Sequence, residues 1–219
     1  MEYCRSPNQD ERPKGNLVDM VVLHYTGMKN GEMAVERLCN PLAEVSAHYI
    51  VFEDGHLIQL VSEDRRAWHA GSAFWRGNTD INERSIGIEI VNPGHEFGLT
   101  KFPDKQMAAL ESLIIEIIQR YSISGHNIVG HSDVAPRRKI DPGELFDWRR
   151  LYKSGIGIWP NPSVVDSIDN VRAEMLFSQF GYETVDMKKT IEAFQRHFRP
   201  REVTGILDRE TSQLLSGLC

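Results

Sequence analysis

The stretch "SIGIEIVN", residues 85 to 92, alternates without a break. In an extended chain Ile86, Ile88 and Ile90 project to one side, and Ser85, Gly87, Glu89 and Val91 to the other. One face is therefore a β-branched core surface, while the second carries a carboxylate beside two very small residues. Downstream, "DKQMAALESLIIEIIQRY" (104 to 121) places Met107, Leu110, Ile114, Ile117, Ile118 and Tyr121 on one stripe. That spacing predicts a long amphipathic helix packed on a sheet. Upstream, "VDMVVLHYT" (18 to 26) reads as a buried strand ending at Gly27, with His24 near its carboxyl end.

The remaining elements follow the same logic. "GEMAVERLCN" gives a short helix stopped by Asn40-Pro41. "SAHYIVFEDGHLIQLV" (46 to 61) is two alternating runs about Asp54-Gly55, a strong hairpin signal. "NIVGH" (127 to 131) is another short strand, and it too ends in a histidine, His131. The segment that follows, "HSDVAPRRKIDPG" (131 to 143), is polar and proline-rich and predicts nothing regular, and "LFDWRRLYKS" returns to helix. Strands interleaved with helices predict an α/β fold with a mixed central β-sheet flanked by helices. In such sheets ligands gather outside the carboxyl ends of the strands, where His24 and His131 stand.

Glycines and prolines at 155–166 mark a linker. Beyond it, at 167–219, three apolar-periodic segments predict a small three-helix bundle around Leu176, Phe180, Ile191, Phe194, Phe198, Leu207, Leu214 and Leu215. The expected organisation is an N-terminal extension (1–16), a catalytic domain (17–154), the linker and the bundle. A formal charge of −6 over 219 residues argues against nucleic acid as the main partner. No run approaches the roughly 20 apolar residues of a membrane span. Cys4, Cys39 and Cys219 are odd in number and without metal-binding spacing, so free thiols are expected. The first sixteen residues hold no apolar export core, which leans towards the cytoplasm.

Catalytic zinc sites take three protein ligands from His, Asp or Glu and leave a fourth position open. His24, His131 and Asp141 could form such a set. Lys139 and Asp141, two residues apart in an extended "KID", can face one point. On residue type alone His48, His56, His69 and His126 compete for the same part, and a histidine at a strand end is commonly a packed, hydrogen-bonded one.

Five fragments, "VVLHYT", "SAHYIVFEDGHLIQLV", "AWHAG", "SIGIEIVN" and "GHSDVAPRRKIDPG", occur in this order over residues 17 to 152. Together they resemble the zinc-dependent N-acetylmuramoyl-L-alanine amidases of the AmpD/AmiD type. The longer stretch before the central strand and "APRRKIDPG" are closer to the AmiD branch, and the tail, with "TIEAFQRHF" and "VTGILDRET", is similar to a three-helix peptidoglycan-binding domain. The resemblance implies a bound Zn2+ ligated by His24, His131 and Asp141, and Glu89 and Lys139 as the catalytic pair. The implied substrate is peptidoglycan or a muropeptide, cut between the lactyl group of N-acetylmuramic acid and L-alanine. Trp68 and His69 are candidates for lining the substrate groove, as are Arg76, Arg137 and Arg138 for meeting stem-peptide carboxylates. A wall-binding tail suits the cell envelope, against the cytoplasmic lean of the N-terminus. Two alternatives stay open at this point: a recognition module that binds without cutting, and a zinc peptidase acting within the stem peptide. The oligomeric state is open too, with a monomer as the default.

Overall fold

The computed structural model describes residues 2–13, 15 and 17–218. Its frame is a six-stranded sheet. In chain order the strands are β1 (Glu2–Tyr3), β3 (Met20–Tyr25), β4 (Tyr49–Val51), β5 (Leu57–Gln59), β7 (Ser85–Ile90) and β8 (Ile128–Gly130); β2 (Gln9–Glu11) and β6 (Arg65–Ala67) make a separate antiparallel pair. The spatial order is β1-β5-β4-β7-β3-β8, with β4, β7, β3 and β8 parallel and β5 antiparallel to β4. This is the mixed sheet that the sequence leads one to expect. The β4–β5 hairpin turns at Gly55, whose φ of 90° only glycine adopts without strain, and the Asp54 side chain accepts from the amide of His56 at 2.9 Å.

Both sheet faces are covered, as parallel strands require. Ile86, Ile88 and Ile90 lie level with Val21, Leu23 and Tyr25 of β3 and pack on Met107, Leu110, Leu113, Ile114 and Ile117 of the long helix α4 (Asp104–Tyr121). All of these but the partly buried Tyr25 are buried. Three shorter helices precede α4: α1 (Gly31–Cys39), α2 (Ile81–Arg84) and α3 (Gly94–Phe97). The polar Gln106 belongs to the buried side of α4 because its amide donates to the carbonyls of Val51 and Val91, at 3.0 and 2.8 Å, where two strands end.

The opposite face carries Met20, Val22 and Val129, and these meet Trp75, Ile81 and the C-terminal helices in one apolar cluster. After β8 come α5 (His131–Val134) and α6 (Trp148–Lys153), then α7 (Asn170–Phe180), α8 (Met187–Phe198) and α9 (Arg209–Ser216). Asp169, Asp186 and Asp208 cap these last three, each accepting from a backbone amide three residues on. Their core holds all eight residues named from the sequence, Leu207 partly buried, together with Phe177 and Ala193. It also holds Ala70, Val129 and Val134, so the helices close over the sheet itself.

Two local features differ from the sequence reading. Residues 131–134 form a helical turn where nothing regular was expected, because the Asp133 carboxylate reaches back to the Gly130 amide at 2.7 Å. The polar N-terminal stretch is woven in: β1 pairs with β5, β2 with β6, and Ser6 and Asn8 are buried. The Arg12 guanidinium donates to the carbonyls of Glu63, Asn82, Glu83 and Ser85 at 2.6–3.1 Å. Cys4 and Cys39 are free, their sulfurs 3.5 Å apart, and Cys219 lies outside the described residues. No helix among the described residues is long and apolar enough to cross a membrane.

Candidate active site

At the carboxyl ends of β3, β7 and β8 lies a cavity of about 350 Å3, lined among others by His24, Glu89, His131, Lys139 and Asp141. The β3–β7 register sets His24 directly beside Glu89 on the face opposite the isoleucines, where Ser85 and the bare Gly87 leave room for the His69 ring. β8 stops one residue short of His131, which opens α5 and swings its ring towards His24. Asp141 returns to the same point from the far end of the loop, where its carbonyl accepts from the Ser132 amide at 2.9 Å.

The three side chains converge closely. His24 Nδ1 lies 2.9 Å from His131 Nδ1, and each of these nitrogens lies 3.1 Å from Asp141 Oδ2; all three residues are buried. Two neutral ring nitrogens whose lone pairs meet at this distance repel unless a cation or proton lies between them. Tetrahedral zinc, with ligand bonds of about 2.0–2.2 Å, puts its donors about 3.3 Å apart, so the triangle fits that ion to within a few tenths of an ångström. The donor set, two imidazoles and a carboxylate, suits zinc chemically as well. Burial, and next the neighbouring His131, lower the His24 pKa to about 4, which keeps its ring neutral and able to ligate at neutral pH. Burial works to raise the Asp141 pKa, but the adjoining His131 and His24 outweigh it and hold the group ionised.

Glu89 is the complementary case. Burial first, then the negative charge of Asp141, push its carboxyl well above the ordinary range, and Lys139 opposes the shift. Its Oε2 is buried and has no hydrogen-bond partner among the described residues. A partnerless buried carboxylate oxygen in a cleft is placed to hold a proton in transit.

Of the other candidates from the sequence, Trp68 and His69 line the cavity. Trp68 is anchored by its indole N–H to Asp10 at 2.7 Å, and His69 sits against both His24 and Ser85. Arg138 lines the cavity too, its guanidinium tied to the carbonyls of Ala70 and Ser72 at 2.6 and 2.8 Å. Arg76 and Arg137 lie elsewhere. Arg76 donates to the Phe180 carbonyl at 3.0 Å and crosses Gly181, where a Cβ would come within 2.5 Å of the arginine chain. Arg137 makes a two-bond pair with Glu183. Both arginines serve contacts with the C-terminal helices. Among the competing histidines, His48 is buried under Arg12, and His56 and His126 lie outside the cavity. Tyr25, Arg37 and Ser46 also line it, and their sequence context gives no sign of this.

A family model described as N-acetylmuramoyl-L-alanine amidase matches residues 14–144. The chain belongs to that family. Among curated amidases, AmiD of Escherichia coli is 34% identical, with 92% of this chain and 82% of AmiD aligned. The 1,6-anhydro-N-acetylmuramyl-L-alanine amidase AmpD of Enterobacter cloacae is also 34% identical, over 68% of this chain and 87% of its own. The solved structure of Escherichia coli AmiD with the substrate anhydro-N-acetylmuramic acid-L-Ala-D-gamma-Glu-L-Lys superposes with a TM-score of 0.83, covering 95% of this chain and 91% of AmiD. AmpDH3 of Pseudomonas aeruginosa, in complex with an anhydromuramic pentapeptide, gives 0.84 at 32% identity, covering 94% and 92%. The AmiD and AmpDH3 structures, covering 95% and 94% of this chain, thus take in C-terminal helices, whereas the AmpD alignment covers 68% of it.

Proposed function

We propose that this amidase is zinc-dependent and hydrolyses the bond between the lactyl carbonyl of N-acetylmuramic acid and the L-alanine of the stem peptide, in muropeptides or peptidoglycan. The observation that carries the reading is the buried convergence of His24, His131 and Asp141 with Glu89 one strand away, its Oε2 partnerless. The muropeptides bound by AmiD and AmpDH3 support the substrate class.

His24 and His131, through Nδ1, and Asp141, through Oδ2, would hold the ion. Zinc there would supply Lewis acidity and make the hydrolytic water more acidic. Glu89 Oε2 accepts the proton released as the water oxygen attacks the lactyl carbonyl, and its raised pKa suits it to keep that proton. The Lys139 ammonium, on the loop that carries Asp141, stabilises the oxyanion that the attack creates. Glu89 then delivers its proton to the alanine nitrogen, the C–N bond breaks, and the amine takes the remaining proton from the new lactyl carboxyl, so that an ammonium and a carboxylate leave. Trp68 and Arg138 at the cavity wall position the sugar and the stem peptide.

The test is product analysis by mass spectrometry on an anhydro-muropeptide and on intact sacculi, with and without a chelator. A peptide beginning at L-alanine, released only in the absence of chelator, is the expected product. Glu89→Gln and Lys139→Ala should retain zinc and lose roughly 10²- to 10⁴-fold in turnover. A product that keeps L-alanine on the sugar would replace this reading with a peptidase, and binding without any product would replace it with a recognition module.

A further inference from the structure

The hydrogen bonds behind the two histidines place a proton on the Nε2 of each. The Ser85 hydroxyl lies 2.6 Å from the Ile81 carbonyl, which can only accept, so the hydroxyl proton is committed there. His69 Nε2, 3.0 Å from Ser85 Oγ, must then be the donor of that pair. A neutral imidazole with its proton on Nε2 has an accepting Nδ1, and His69 Nδ1 faces His24 Nε2 at 3.1 Å. His24 is therefore protonated on Nε2, which frees Nδ1 to face His131 and Asp141. A single backbone carbonyl sets the tautomer of His24 through two side chains.

The same segment treats His131 in parallel. His131 Nε2 lies 3.0 Å from the carbonyl of Ala70, the residue after His69, so Nε2 donates there and Nδ1 is turned towards the site. Residues 69 and 70 are held by Asn82, whose amide oxygen accepts from both of their backbone N–H groups, at 3.1 and 2.8 Å. The His69 ring can lie on the sheet only because β7 has no side chain below it. A Cβ on Gly87 would stand 2.4 Å from His69 Cγ. The glycine in "SIGIEIVN" is thus the floor of this arrangement.

We propose that His69 is a positioning residue: with Ser85 and the floor at Gly87 it fixes the tautomer and orientation of His24, while the Ala70 carbonyl does the same for His131. Its consequence for metal affinity rests on the zinc reading above; the proton positions do not. Ligand histidines held through the second ring nitrogen generally lose about 10- to 100-fold in metal affinity when that partner is removed. The cavity wall at His69 is accordingly scaffold, and the sugar and peptide are met by its neighbours.

Long-range 1H–15N correlation spectra of the metal-free protein at neutral pH read the tautomers directly. His24, His69 and His131 should each carry a proton on Nε2, and a His24 without one would overturn the proposal. Zinc competition with a chromophoric chelator then compares the parent with His69→Phe and with Ser85→Ala. Both should weaken zinc, His69→Phe by about 10- to 100-fold, and Ser85→Ala should mix the His24 tautomers. Unchanged affinity in both, with the tautomers unmoved, would sink the idea even if His69→Phe were poorly folded, because Ser85→Ala removes only a hydroxyl. A parent that binds no zinc but shows the three Nε2–H tautomers would refute the metal reading and leave the relay standing.

Discussion

Replacing Tyr182 with phenylalanine tests how firmly the C-terminal helices are built into the catalytic part. The Tyr182 hydroxyl donates to Asp133 Oδ1 at 2.6 Å, and the other oxygen, Oδ2, takes His197 Nδ1 at 2.8 Å and the Gly130 amide at 2.7 Å. Asp133 and Tyr182 are each 1% exposed, so water cannot replace a lost partner. His197 itself is stacked between Trp148 and Phe198, with centroids at 3.8 and 4.0 Å. Tyr182→Phe removes one hydrogen bond to a buried carboxylate and leaves Oδ1 bare, a loss of about 1.5–3 kcal/mol, or roughly 10- to 150-fold in the folding equilibrium. Urea unfolding followed by tryptophan fluorescence and circular dichroism measures this, with Trp148 reporting on the His197 stack. Tyr152→Phe, at a half-exposed position, should stay within about 0.5 kcal/mol. A shift as small for Tyr182→Phe would refute the argument that Asp133 depends on the C-terminal helices. Asp133 lies on α5 with His131, so the variant should also weaken zinc under conditions where it is fully folded.

Other perturbations probe other parts of the molecule. Gly87→Ala should overpack the His69 ring, costing about 1–3 kcal/mol of stability and lowering zinc affinity together, and full affinity at unchanged stability would contradict the floor assigned to this glycine. His131→Ala should abolish stoichiometric zinc, read by elemental analysis after dialysis, whereas Lys139→Ala should not. His48 gives a pH signature: burial first, then the Arg12 charge, lower its folded pKa to about 3 from an unfolded value of 6.5. The unfolded chain therefore takes up this proton first, so the contribution is intact above pH 6.5 and is lost as pH falls towards 3, at about 1.4 kcal/mol per pH unit. Between pH 6.5 and 4.5 the parent should lose about 2.3 kcal/mol more than His48→Gln, and equal slopes in the two proteins would rule out His48 as the source.

The parts of this fold legible in sequence were those with a local period. "SIGIEIVN" announced both of its faces, the α4 stripe announced its partner, and the two histidines at strand ends announced the site. What escaped was set by partners distant in the chain. β1 and β2 are two and three residues long, too short for alternation to register, and the polar residues on either side of β2 are held by carbonyls 32 and 70 positions away, Asn8 on Asn40 and Arg12 on Asn82. Arg76 and Arg137 carry the same charge as Arg138, three residues of one type, yet only Arg138 reaches the cavity; the other two are claimed by Phe180 and Glu183, contacts that no local pattern encodes. The α5 turn hid behind a capping residue, Asp133, whose remaining bonds come from Tyr182 and His197.

The central strand explains why stability and chemistry can occupy so little sequence. In β7 every second residue is given to the α4 core, and the residues between them are Ser85, Gly87 and Glu89: a relay hydroxyl, a floor without a side chain, and the carboxylate beside His24. A slip of one residue would exchange the two sets, driving Glu89 into the apolar contact with α4 and the isoleucines into the cavity. Each error would be costly alone, since a lone carboxylate among Leu110, Ile114 and Ile117 finds no partner and three isoleucines would fill the space His69 occupies. The apolar face therefore does more than stabilise the fold. By making the wrong register expensive it fixes which way Glu89 points, and so the geometry of the proposed site inherits its precision from residues on the other face of the sheet.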